Sequence, residues 1–395
     1  MKWSFVSLGD VLQSAEVFVD GDWVESKDQD INGDVRLIQL ADIGDGYYID
    51  KSSRFLTSDK AQELRCTFLE KGDVLVARMP EPLGRACIFL GDSKRSVTVV
   101  DICIIRPNRQ HNDARWLMHC LNAPVCRNQM ADFATGSTRT RISRGNLTKI
   151  KIPLPPIEEQ KRIAEILDRT QSLISKRKEA IELLDTLTQS IFIEMFGDPF
   201  TNPKGWEVNE FSSQIKSVRY GTGSPPIYTD EGIPFIRATN VKEGIIKSKD
   251  MKRISQEEAN KIAKCQIRFG DLIVVRSGVN TGDCAMILRE YDRAYAAFDL
   301  IVELPLANSI FYNFLINSPY GKICLAPLTR RAAQPHLNAE QLKSLRFIAP
   351  PVPIKEEFAQ RIEAVEKLKA THRASLTELQ ALFASLQHRA FRGEL

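Results

Sequence analysis

Pro153-Leu154-Pro155-Pro156-Ile157-Glu158-Glu159-Gln160 opens a stretch that contains no further Pro or Gly until Gly197. Within it apolar residues recur at Ile163, Ile166, Leu167, Leu173, Ile174, Ile181, Leu184, Leu187, Ile191 and Met195. Spacings of three and four are the period of a helix with one apolar stripe, sustained beyond an ordinary globular helix. From Glu158 to Met195 such a helix would extend roughly 57 Å. A second stretch of this kind follows Pro350-Pro351, with Phe358, Ile362, Val365, Leu368, Leu376, Leu379, Leu382, Phe383, Leu386 and Phe391. The chain reads as module, rod, module, rod.

Strict heptads place Ile163, Leu167, Ile174, Ile181, Leu184, Ile191 and Met195 at core positions of the first rod, interrupted by Thr170, Arg177 and Thr188. In the second they place Phe358, Ile362, Val365, Leu376, Leu379, Phe383, Leu386 and Ala390 there, interrupted by Lys369 and His372. Polar interruptions of this kind fix register at some cost in stability. The rods are therefore expected to pair antiparallel as a coiled-coil spacer, with the modules at its two ends. The alternative is that each helix caps its own domain. The Pro-Pro pairs stiffen each entry by fixing φ and removing donors.

The modules repeat one another. A shift of 198 residues pairs Ile38 with Ile236, Gly46 with Gly244, Gly72-Asp73 with Gly270-Asp271, Arg78 with Arg276, Gly84 with Gly282, Asp101 with Asp299 and Pro107 with Pro305. At 195 the same register continues through Pro124/Pro319, Leu147/Leu342 and Pro155-Pro156/Pro350-Pro351, and at 203 Trp3 meets Trp206. Changes in the shift mark small loop insertions, which surface loops tolerate. Short β-like runs (35–40, 73–78, 86–90, 96–105) alternate with helical patterns (114–121, 125–133). The predicted fold class is α+β: an internal pseudo-two-fold duplication of mixed modules, separated by two long helices. Its expected boundaries are 1–152, 153–197, 198–349 and 350–395.

At 395 residues and 43% hydrophobic content the chain can fill several cores. No apolar run approaches a membrane span, so no membrane partner is expected. The start, Met1-Lys2-Trp3-Ser4, has no secretory pattern, and the eight cysteines form no CxxC pair. Reduced thiols in a cytoplasmic protein are the expectation. Net charge is only +4, yet residues 1–50 hold three basic and eleven acidic groups while 85–151 hold twelve basic and four acidic. That asymmetry suggests a face for polyanion contact, against the alternative of charges solvated on separate faces.

The loop Thr135-Gly136-Ser137-Thr138-Arg139-Thr140-Arg141-Ile142-Ser143-Arg144 alternates small hydroxyl residues with Arg and has no acid among them. Ser137, Thr138, Arg139, Thr140, Arg141, Ser143 and Arg144 can donate to phosphates or, through guanidinium forks, to guanine edges. A solvated basic loop is the plain alternative. Its counterpart in the second module is Leu328-Thr329-Arg330-Arg331-Ala332-Ala333-Gln334-Pro335-His336. There Arg330, Arg331 and Gln334 carry guanine- and adenine-reading chemistry. Arg78 and Arg276 both end a β run, either as phosphate anchors or as structural ion pairs with Asp101 and Asp299. Tyr220, Thr222, Ser224, Thr239 and Asn240 complete the set expected to approach a ligand.

Catalytic signatures are missing. The chain has no GxxxxGK[ST], HExxH or GxSxG, and its five histidines are scattered. Asp198-Pro199-Phe200 is not the Asn/Asp-Pro-Pro-Tyr/Phe tetrapeptide with which amino-methyltransferases hold a flipped base. No catalytic residue, bound cofactor or metal is expected.

Over essentially its whole length the chain resembles the DNA specificity subunit of type I restriction–modification systems. The resemblance is strongest in 152–168 (Ile152-Pro153-Leu154-Pro155-Pro156-Ile157-Glu158-Glu159-Gln160 and onward), in 190–199 and in Asn202-Pro203-Lys204-Gly205-Trp206. It extends to Glu357-Phe358-Ala359-Gln360-Arg361-Ile362 and Ala390-Phe391-Arg392-Gly393-Glu394-Leu395. It implies two variable target recognition domains, each reading one half of a split double-stranded DNA site, with paired helices setting the unread gap. It also implies docking of two modification (methyltransferase) subunits, which carry S-adenosylmethionine, and of restriction (motor-nuclease) subunits where these are present. The setting implied is the cytoplasm of a bacterium or archaeon. Ile354-Lys355-Glu356-Glu357-Phe358 departs from Ile157-Glu158-Glu159-Gln160, which puts exact symmetry of the two docking surfaces in doubt. The rival readings are a free-standing two-headed DNA-binding regulator and a protein-only scaffold.

Overall fold

A computed structural model describes residues 3–80, 82–136, 140–329 and 336–395. The chain divides into two compact units, Met1–Glu179 with Arg373–Leu395, and Ala180–His372.

In the first unit Val74-Leu75-Val76-Ala77 is buried along its whole length. An unbroken apolar strand needs cover on both faces, and the alternation of side chains supplies it. Val74 and Val76, with Cys103 and Ile105 of the neighbouring strand, join Trp116, Leu117, Cys120 and Leu121 of the helix Ala114–Asn122. Leu75 and Ala77, with Ile102 and Ile104, face Ile38, Cys87 and Phe89 on the other side. The sheet has four antiparallel strands in the order Val17–Asp20, Ile102–Arg106, Val74–Ala77, Ala86–Ile88. Beside it lies a three-stranded sheet, Phe55–Leu56, Val35–Ile38, Arg95–Thr98, whose last pair is parallel.

The second unit repeats this plan. Ser217–Tyr220, Leu300–Glu303, Leu272–Val274 and Cys284–Met286 form the four-stranded sheet in the same relative order. Its side chains alternate likewise, Leu272 and Val274 toward one core and Ile273 toward another. Ile233–Ile236 and Tyr295–Ala296 repeat the parallel pair. Retained glycines have a backbone reason: Gly72 (φ +100°) and Gly270 (φ +91°) enter the central strands in the left-handed region, where a Cβ is strained.

Two long helices, the central helix Ile157–Phe196 and the distal helix Val352–Ala390, each contribute to both units. Within the first unit Ile163, Ala164 and Leu167, near the start of one, share a core with Phe383, Leu386, Ala390 and Phe391, at the end of the other. Within the second unit Ile191, Phe192, Met195 and Phe196 share one with Phe358, Ile362 and Val365. Start meets end in both, so the pairing is antiparallel. The predicted heptad core positions of both rods are buried or half-buried.

The interruptions are satisfied locally. Thr170 and Thr188 donate back to the carbonyls of Ile166 (3.0 Å) and Leu184 (3.1 Å). Lys369 reaches Asp185 at 2.7 Å and Glu366 at 2.6 Å. Residues 160 and 355, equivalent at a shift of 195, are both buried yet differ. Gln160 accepts from the Asp113 amide at 2.9 Å and donates to Pro155 O at 3.0 Å. Lys355 donates to Gln214 Oε1 at 3.2 Å, and burial pulls its ammonium down to about 8.

No described helix is long and apolar enough to cross a membrane. The eight cysteines are free thiols.

Candidate nucleic-acid interface

In each unit an arginine follows the central strand, Arg78 after Val74–Ala77 and Arg276 after Leu272–Val274, and the chain segments around that arginine form the candidate interface. In the first unit the Arg78 amide donates to Asp101 O at 2.9 Å, and Arg78 O accepts from the Ile142 amide at 3.0 Å. Thr135 and Arg141 pair through two backbone hydrogen bonds of 2.9 and 2.8 Å, closing the basic loop at its neck. The Arg141 guanidinium then stands 3.4 Å from the Asp101 carboxylate. Thr140 is exposed.

Several expected contact residues have structural duties. The Arg78 side chain is only 3% exposed, its Nε 3.3 Å from Asp20, and it donates to Val100 O. Burial lowers its pKa, against the attraction of Asp20. The partner is thus Asp20 rather than the expected Asp101, which faces Arg141 instead. Ser143 caps the short helix Arg144–Leu147 by accepting from the Asn146 amide at 3.0 Å. Arg144 donates to Phe18 O at 3.3 Å and lies over the Phe18 ring. Ser137, Thr138 and Arg139 lie outside the described residues.

In the second unit the same backbone frame holds different side chains. The Arg276 amide donates to Asp299 Oδ1 at 3.1 Å, and Arg276 O accepts from the Leu337 amide at 2.8 Å. Its guanidinium donates from Nε to His336 Nε2 at 3.0 Å and stacks 4.0 Å over the Phe298 ring and 4.9 Å over Tyr220. Tyr220 stands where Asp20 does, at a shift of 200, and His336 where Arg141 does, at 195. An ion pair in one unit is therefore a cation–π stack in the other. The expected Arg276–Asp299 pair exists only through the Arg276 backbone amide.

Asn240, expected to approach a ligand, is instead 1% exposed. Its Nδ2 donates to Lys247 O (3.1 Å) and Lys249 O (3.2 Å), and its Oδ1 accepts from the Arg237 amide (3.1 Å). At the same place Asp42 accepts from the amides of Gln39, Lys51 and Ser52 at 2.7, 2.7 and 2.6 Å. Thr222 and Ser224 bond each other in one turn, Thr222 Oγ1 donating to Ser224 O at 2.9 Å. Thr222 and the exposed Thr239 share the lining of one cleft. Tyr220 OH accepts from the Ala339 amide at 3.0 Å. Arg330, Arg331 and Gln334 lie outside the described residues. Asp20, Phe298 and His336 were not among the expected contacts, although shifts of 200, 198 and 195 align each with its counterpart.

Residues 1–183 and 203–381 both match one family model, the type I restriction modification DNA specificity domain. The chain belongs to that family. Its place in a restriction–modification system is sequence-specific DNA recognition rather than catalysis. The specificity subunit of the type I restriction enzyme MjaIX of Methanocaldococcus jannaschii is 22% identical over 390 residues, covering 92% of this chain and 87% of that one. The EcoKI specificity subunit of Escherichia coli is 21% identical over 303 residues, covering 71% of this chain and 65% of that subunit. The crystal structure of a type I restriction–modification S subunit from M. genitalium shares the fold, with a TM-score of 0.60 at 12% identity and coverage of 99% and 96%.

Proposed function

We propose that this specificity-family chain reads a bipartite, asymmetric double-stranded DNA site, with residues 1–152 reading one half and 198–349 the other. The observation that carries this reading is the duplicated frame around Arg78 and Arg276. The residue positions bonded to the Arg78 and Arg276 main chains are kept (Asp101 and Ile142, Asp299 and Leu337), while Asp20/Tyr220, Arg141/His336 and Val100/Phe298 differ, as two readers of unlike half-sites require. The exposed part of the basic loop, Thr140 and Arg141 among the described residues, would meet the phosphates and groove edges. The buried Arg78, Ser143 and Asn240 would shape the loops that do so.

Membership in the family implies methyltransferase and restriction subunits as partners. Two modification subunits per chain, docking along the conserved helices, is the stoichiometry we propose, in the cytoplasm of a bacterium or archaeon. S-adenosylmethionine would then be held by the modification subunit. The gap of unread base pairs would follow the length of the paired helices. Sequencing genomic methyladenine in a host that produces this chain with its neighbouring modification subunit tests the proposal. A single two-part motif with a fixed gap is expected; a continuous motif, or none, would contradict it.

A further inference from the structure

Each unit carries a cleft at the same place. The first, of about 480 Å³, is lined by Asp22, Trp23, Glu25, Gln39, Val100 and Asp101 among others. The second, of about 270 Å³, is lined by Thr222, Arg237, Thr239, Ser277, Phe298 and Asp299 among others. Shifts of 200 and 198 superimpose them: Asp22 on Thr222, Gln39 on Arg237, Val100 on Phe298 and Asp101 on Asp299. The frame is built identically. Asp22 and Val99 form an isolated parallel bridge, as do Thr222 and Ala297. The preceding glycines permit it, since a Cβ would lie 2.3 Å from Val99 O at Gly21 and 1.7 Å from Ala297 O at Gly221. Frame and position are kept while the lining has changed.

Both clefts adjoin the loops described above. Asp101 lines the first and faces Arg141, while Phe298 lines the second and carries the Arg276 guanidinium. The first lining is rich in acceptors, with the carboxylates of Asp22, Glu25 and Asp101 and the amide of Gln39, while its one cation among the described residues, Arg54, donates to Gln29 Oε1 at 3.3 Å. The second offers donors. Arg237 uses Nη2 on Asp250 O at 2.8 Å, but its Nε is buried with no hydrogen-bond partner among the described residues. The Thr239 and Ser277 hydroxyls are exposed and hydrogen-bond no described residue.

We propose that these equivalent clefts are the base-reading sites of the two modules. The first accepts hydrogen bonds from the exocyclic amino groups of adenine or cytosine, and the second donates to guanine acceptors through Arg237, Thr239 and Ser277. Trp23, 67% exposed at the rim of the first, supplies an apolar surface for a thymine methyl. The inference rests on the DNA-reading assignment above and adds which residues set the bases read.

The test uses the complex of this chain with its modification subunit. Wild type, Gln39→Leu, Thr239→Val and Ser277→Ala are compared by genomic methyladenine sequencing, and by titration of a cognate duplex and one scrambled in a single half-site. The expected result for Gln39→Leu is a loss of base preference in one half-site of roughly 5- to 150-fold, the value of one base contact. Thr239→Val and Ser277→Ala should relax the other half-site alone, with binding to duplex scrambled in that half unchanged. An unaltered motif in all three variants, or equal weakening on cognate and scrambled duplexes, overturns the cleft assignment while the DNA-reading assignment stands. A wild-type complex that binds both duplexes equally overturns both.

Discussion

Asp42 and Asn240 occupy one position of the duplicated frame and hold their loops with opposite polarity. Asp42 accepts from three backbone amides, whereas Asn240 also donates to two carbonyls. The exchanges Asp42→Asn and Asn240→Asp should therefore both destabilise, by about 1–3 kcal/mol, because each leaves a buried partner unmet. Denaturant unfolding checks this, and a neutral exchange at either site would count against it. Arg78→Ala should lower the unfolding midpoint of its unit, since it strips Asp20 and Val100 O of their donor. Arg141→Ala, at a half-exposed side chain, should leave the midpoint near wild type and weaken DNA binding. If Arg141 contacts a phosphate, the salt dependence of binding falls by about one unit of slope. At this scale the sequence was legible where the two copies kept one register. Asp101 and Asp299 stand out at a shift of 198, but the Asp20–Arg78 pair does not, because its counterpart is Tyr220 at a shift of 200. Asn240 misled for a related reason: polar chemistry beside a loop does not reveal burial.

The helices were the most legible elements, because a 3.5-residue period sustained over forty residues leaves little else to form. Their polar interruptions required the structure. Lys369 lies inside the pairing surface with its side chain 6% exposed, but Asp185, its partner, is 61% exposed and stays hydrated alone. Lys369→Leu should accordingly hold or raise the thermal midpoint while loosening register, the exchange expected of a polar core position. A large drop in the midpoint would contradict that. Lys355 gives a pH signature. Burial pulls its folded pKa to about 8 from an ordinary 10.5, so the unfolded chain binds more protons between those values. Stability therefore gains from Lys355 as pH rises from 8 toward 10. Wild type should gain stability relative to Lys355→Gln, which installs the residue found at position 160, over that window. A difference independent of pH would contradict the assignment.

For the whole molecule, duplication was legible because turn glycines, strand residues and Pro-Pro joints persist for backbone reasons even when ligand-facing residues do not. Compact units change over inside the long helices, at 179/180 and 372/373, next to the polar interruptions Arg177 and His372. Which half of a helix packs on which module depends on contacts such as His119–Asp168 at 2.7 Å, and no period encodes those. Adding one heptad to each helix at these crossovers should widen the unread gap without changing the bases read. The most direct test of two independent readers is to replace residues 1–152 with the matching module of another family member and sequence the methyladenine sites made with the modification subunit. The account predicts a new first half-site joined to an unchanged second half-site at the same gap. A change in both halves would contradict it.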